Sequence, residues 1–104
     1  MKIVAVSACQ VGVAHTYMAK EALELECKKR GHEIKVETQG GLGIEDELQE
    51  EEIAEADAVI LAIDIAIEGM ERFDEKDEEG KVISVDTSEA IKKIEQIIDK
   101  AEQL

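Results

Sequence analysis

A cysteine six residues ahead of a histidine, with a glycine between them, stands near the start of the chain in Ser7-Ala8-Cys9-Gln10-Val11-Gly12-Val13-Ala14-His15-Thr16. The residues before it, Ile3-Val4-Ala5-Val6, read as a strand, and those after it read as a helix. A helix start presents unpaired backbone N–H groups and the positive end of the helix dipole. That field favours a bound oxyanion and a thiolate alike. Cys9 is therefore read as a nucleophile able to carry phosphate, with Gln10, Val11, Gly12, Val13, Ala14, His15 and Thr16 as a phosphate-binding loop. Such a loop is long enough to wrap main-chain donors around a tetrahedral anion. Gly12 permits a close approach or a positive φ. His15 is placed to orient the phosphoryl group or support the thiolate, and Thr16 and Ser7 offer hydroxyl donors. The alternative reading of Cys9, a small buried apolar residue, is open on spacing alone.

The rest of the chain must position that loop. At 104 residues it is one domain, and 44% hydrophobic residues with only 2% aromatics imply a core of Ile, Val, Leu and Ala. Strand and helix patterns alternate. Lys2–Val6 is a buried strand, and a helix from about Val13 to Arg30 carries Ala14, Met18, Ala22 and Leu25 as its apolar stripe, with Gly31 as its cap. His32–Thr38 reads as a half-exposed edge strand, Gly40-Gly41-Leu42-Gly43 as a flexible break, and Gln49–Ala56 as a short helix. Ala58–Ile63 is the central strand, Met70–Glu75 a short helix and Lys81–Val85 the last strand. Asp86 to Glu89 then starts a helix with the stripe Ala90, Ile94, Ile97, Ile98 and Ala101. Strands separated by helices predict a single α/β domain, flavodoxin-like, with a four-stranded parallel sheet in the order 2-1-3-4 and helices on both faces. In such sheets the ligand site lies beyond the carboxyl ends of the strands, where the winding reverses. That point falls between the strand ending at Cys9 and the one ending near Asp64, an acid that either caps a helix or lines the cleft.

Charge narrows the partners. A net charge of −14 argues against nucleic acid and against unaided adhesion to anionic lipid. The acidic run Glu45–Glu55 is read as a solvated face. Apolar runs are too short to span a bilayer, so direct membrane insertion is not expected. Cys27 is read as a bystander on the polar edge of the first helix and His32 as a surface residue. Tyr17 and Phe73 are read as packing residues, and zinc-type spacing of Cys and His is lacking.

The stretch Ala8-Cys9-Gln10-Val11-Gly12-Val13-Ala14-His15-Thr16-Tyr17-Met18-Ala19 resembles the A-C-P-T-G-x-A-H-T-x-M-A loop of fructose-type enzyme IIB domains of the bacterial sugar phosphotransferase system. The likeness continues in Glu21-Ala22-Leu23, Ile34–Gly40, Gly43–Leu48, Ala56–Ala62 and Glu71-Arg72-Phe73, in order along most of the chain. The resemblance implies that residues 1–104 form a IIB domain with Cys9 as a phosphocysteine carrier and Gln10 to Thr16 as its cradle. It implies a phosphoryl donor, phosphohistidine on a IIA domain, and delivery to a sugar, fructose or a related hexose, in a membrane-embedded IIC domain. The implied location is the cytoplasm, at the inner face of the membrane through IIC, with no metal and no other cofactor. Gln10 and Val11 stand where the family carries proline and threonine. Two other readings of the same residues are a non-catalytic regulatory IIB-like module and a thiol-based phosphatase, whose C-x5-R loop grips its anion with an arginine where His15 stands here.

Overall fold

Seven residues from Lys2 to Ala8 form the first strand, β1, buried on both faces from Ile3 onward. A near-continuous apolar run is what a strand inside a parallel sheet requires, and Ile3, Val4 and Val6 are β-branched, which suits the pleat. The computed structural model describes residues 1–10, 14–41 and 43–104. Along the chain follow α1 (Ala14–Lys29), β2 (Glu33–Gly40), β3 (Gly43–Glu45), α2 (Glu50–Glu55) and β4 (Ala58–Ile63). A 3-10 turn (Met70–Phe73), α3 (Asp74–Glu78), β5 (Val82–Val85), α4 (Thr87–Lys92) and α5 (Ile94–Glu102) complete the fold.

Among the described residues the sheet has five strands in the order β3-β2-β1-β4-β5. The four expected strands occur in the expected parallel order, but a fifth, β3, pairs antiparallel to β2 at the edge and makes the sheet mixed. Three residues beside a glycine cluster are too few to carry a strand periodicity, so the segment read as a flexible break and not as a hairpin. Gly43 adopts φ +88°, a conformation glycine alone enters at little cost. With β3 outside it, β2 is not an edge strand, and Val36 to Gln39 are all buried.

Alternate residues of each strand face opposite layers. Ile3, Ala5, Val36, Ile60 and Ala62 pack under α1, α4 and α5, through Ala19, Leu23, Ala90, Ile97 and Ile98. On the other face Val4, Val6, Val59 and Leu61 pack with Leu48, Ile53 and Phe73. The buried side of α1 is Thr16, Ala19, Leu23, Glu26 and Cys27, about 130° around the helix from the expected stripe. Met18 and Leu25 are instead 50% and 60% exposed. Polar residues reach the interior because they are partnered there: Thr16 bonds Cys9, and Glu26 accepts from Arg30 Nε at 2.7 Å. Cys27, expected at a polar edge, is a core residue at 0% exposure. His32 is half-buried, its Nε2 lying 2.6 Å from Glu102. The C-terminal stripe is as expected but sits on two helices, divided at Lys93, where ψ reaches 32°.

Candidate functional site

β1 ends at Ala8 and places Cys9 at the carboxyl edge of the sheet, ahead of the 16-residue helix α1. Two hydroxyls fasten the junction. Ser7 Oγ donates to the Thr16 carbonyl at 2.8 Å, and Thr16 Oγ1 donates to Cys9 Sγ at 2.8 Å. The first contact fixes the first turn of α1 against the strand. The second aims a proton donor at the sulfur, which stabilises a thiolate more than a thiol. Ser7 is thus a tether and not a phosphate donor.

Cys9 is only 5% exposed, yet it borders an open cleft of about 360 Å³. The cleft has three walls. Cys9 and Gln10 form one, the β2–β3 hairpin supplies Gln39, Gly40, Gly41, Gly43 and Ile44, and the segment after β4 supplies Ile65 and Glu68. All three stand at the carboxyl ends of β1, β2 and β4, the position expected for a ligand in a sheet wound both ways. Ala14 and His15 are exposed on the first turn of α1. Val11, Gly12 and Val13 of the expected loop lie outside the described residues. Asp64 does not reach into the cleft wall. It accepts from Thr87 N–H at 2.8 Å and from Thr87 Oγ1 at 2.7 Å, tying β4 to the start of α4. Asp86 completes that cap by accepting from Glu89 N–H at 2.7 Å.

The hairpin is held to α1 from outside the sheet. Tyr17 Oη and Thr38 Oγ1 both donate to Glu45, and Lys20 pairs with Asp46 at 3.5 Å. Tyr17 is therefore a polar contact as well as a packing residue, and its hydroxyl is pushed above the usual phenol range by Glu45. The rest of the acidic run is largely solvated as expected, with Glu52 drawn to Lys35 at 2.8 Å.

Sequence reasoning missed one constellation altogether. Glu37 is 0% exposed and carries a charge-bearing carboxyl. Arg72 grips it with a fork, Nη1 to Oε1 at 2.8 Å and Nη2 to Oε2 at 2.9 Å. Leu48 N–H and Gln39 Nε2 each add a 2.7 Å bond. Burial alone pushes this carboxyl up, but the donors Arg72, Gln39 and Leu48 together hold it below the usual range. Gln39 also engages the backbone of Glu68, donating to its carbonyl at 3.0 Å and accepting from its N–H at 2.8 Å. The signal for this cluster is the run Glu37-Thr38-Gln39, three polar residues ending a strand whose start alternates. Phe73, expected as packing, is buried with the Arg72 guanidinium 5.1 Å from its ring centre.

These features define first a class: a doubly wound α/β domain that presents a cysteine at its ligand-binding end. Among the described residues no helix is long and apolar enough to cross a membrane. The family model described as "PTS system, Lactose/Cellobiose specific IIB subunit" matches residues 4–100. The chain is 52% identical over 101 residues to the PTS system fructose-like EIIB component 2 of Escherichia coli K12, covering 97% of this chain and 92% of that one. It is 48% identical over 100 residues to the fructose-specific EIIB'BC component of Vibrio cholerae, of which it covers 16%. A solved domain of the fructose-specific IIABC component of Borrelia burgdorferi superposes with a TM-score of 0.86 at 53% identity, covering 96% of this chain and 91% of that one. The chain belongs to the IIB family of the sugar phosphotransferase system and is a fructose-like phosphotransferase component of it.

Proposed function

We propose that Cys9 is the phosphoryl carrier of this IIB domain, formed by residues 1–104. The thiolate Sγ attacks the phosphorus of a phosphohistidine on a IIA domain. An S–P bond forms as the N–P bond breaks, and the imidazole leaves and takes up a proton. A hydroxyl of fructose or a related hexose, bound in a membrane IIC domain, then attacks the same phosphorus. The S–P bond breaks, the hydroxyl proton passes to solvent, and the thiolate is restored. No metal and no nucleotide enters either step. The domain works in the cytoplasm, at the inner face of the membrane through IIC.

The observation that carries this reading is the Thr16 hydroxyl aimed at a sulfur that borders an open cleft. In-line transfer draws most of its rate from positioning and charge stabilisation, and a fixed donor beside the nucleophile supplies both. The relatives that carry IIB beside B and C or A, B and C units support the choice of partners. Gln10 lines the cleft in the place of the family's proline and brings an amide to the carrier loop. The cradle formed by Gln10 to Thr16, with His15 beside the phosphoryl group, completes the proposal.

Intact mass after incubation with phosphoenolpyruvate and the upstream phosphotransferase proteins tests it. One added phosphoryl group is expected, absent in Cys9→Ser and retained in Cys27→Ser. A wild-type chain that stays unmodified by a competent donor would sink the carrier assignment and favour a regulatory module.

A further inference from the structure

We infer that Gln39, with Glu37 and Arg72 behind it, is a positioning residue for phosphoryl transfer at Cys9, holding the cleft wall that faces the sulfur. The inference rests on the proposal that Cys9 is the carrier. In the sheet register Gln39 lies directly beside Ala8, the residue before Cys9. Its side chain borders the cleft, yet both Nε2 protons are taken, one by Glu37 Oε2 and one by the Glu68 carbonyl. Its Oε1 accepts the Glu68 N–H. Nothing on the amide remains for a phosphate, so Gln39 is a strut and not a ligand.

The strut is itself braced. Arg72 closes a fork on Glu37 and also donates to the carbonyls of Leu48, Glu68 and Gly69. One guanidinium thereby joins the end of β2, the segment leading into α2 and the turn after β4. A buried ion pair is a poor source of stability compared with an apolar pair of the same shape, but it is directional. Four donors converge on Glu37, and two of their side chains, Gln39 and Arg72, also bond the Glu68 backbone and so fix that segment. Reacting groups displaced by about 1 Å lose transfer rates on the order of a hundredfold, so fixing this wall has a kinetic consequence.

The test uses the full chain and a phosphorylated fructose-type IIA domain as donor, well below the melting temperature. Gln39→Met keeps the length and removes all three bonds; Arg72→Lys keeps the charge and removes the fork. In both, the saturating rate of phosphoryl uptake is expected to fall roughly ten- to hundredfold. The half-saturating donor concentration and the pH profile of Cys9 alkylation stay unchanged, because neither docking nor the Thr16–Cys9 contact is touched. A saturating rate equal to wild type in either folded variant overturns the inference while leaving the carrier role intact. A wild-type chain that takes up no phosphoryl group overturns both. Hydrogen exchange on the wild-type chain tests the strut itself without a variant. The Glu68 amide, although on an exposed residue, should exchange slowly, and fast exchange there contradicts the strut.

Discussion

Cys9 and Cys27 are the same residue at nearly the same burial, 5% and 0% exposed, and their surroundings make them different chemical groups. Cys9 sits at the carboxyl end of β1, with a hydroxyl donor at 2.8 Å and a cleft beside it. Cys27 sits in the last turn of α1 among Ile3, Leu23 and Ile98, and burial pushes its thiol up to about 11. A helix of this length carries it on the order of 20 Å from the first turn, far outside the reach of a disulfide to Cys9. Exposure therefore does not separate the two thiols. A directed donor and an adjoining empty volume do.

The comparison can be broken most sharply by exchanging the thiols. Cys9→Ser is expected to abolish phosphoryl uptake as read by intact mass, whereas Cys27→Ser keeps uptake. The latter loses about 1–3 kcal/mol of stability, read by urea unfolding, because it buries a hydroxyl in an apolar site. Loss of uptake in Cys27→Ser would contradict the assignment of the two roles.

Removing the donor is the next largest effect. Thr16→Val deletes the hydroxyl contact to Cys9 Sγ, a bond worth about 1.5–3 kcal/mol when that sulfur attacks as a thiolate, and phosphoryl uptake should slow roughly ten- to hundredfold. Thr16→Ser should restore the rate. An unchanged uptake rate in Thr16→Val would mean that the hydroxyl does not assist the sulfur.

The pH dependence of stability then separates the two ends of the molecule. Cys27 binds its proton more tightly when folded, so stability falls as pH rises from about 9 to about 11, where the unfolded thiol ionises and the folded one does not. Cys27→Ala should flatten that limb. Glu37 has the opposite sign. Its folded carboxyl is held below 4.5, so its contribution is present above that pH and is lost as pH falls through the lowered value. Glu37→Gln should remove this acid-side slope. Melting temperatures across pH check both limbs. The smallest effect expected is at the cap of α4, where Asp86→Ala loses one N-cap bond and about 1 kcal/mol by the same unfolding measurement.

Much of the frame was legible in the residues. β1 and β4 are apolar on both faces, which marks buried parallel strands, and the alternation with helices orders the four parallel strands and places the site at the end of β1. The hairpin that closes the cleft was not legible, because β3 is three residues long and the cross-strand pairing with Thr38 to Gly40 defines it more than any pattern of its own. The rotation of α1 was hidden as well, since Thr16 and Glu26 count as polar in any periodicity yet are buried by their partners Cys9 and Arg30. The Glu37–Arg72 pair spans 35 positions, and no local spacing links the two.

By itself the sequence determined the class of the fold, the place of Cys9 at the carboxyl end of β1 and the family, because these depend on local periodicity, on a contiguous loop and on residue identities in order. The tertiary structure alone decided which thiol has a donor and an open volume, and which polar residues are sealed together behind the cleft. Those properties arise from contacts between segments far apart in the chain, and the free energy of a buried charge or thiol is set by the groups that surround it in space.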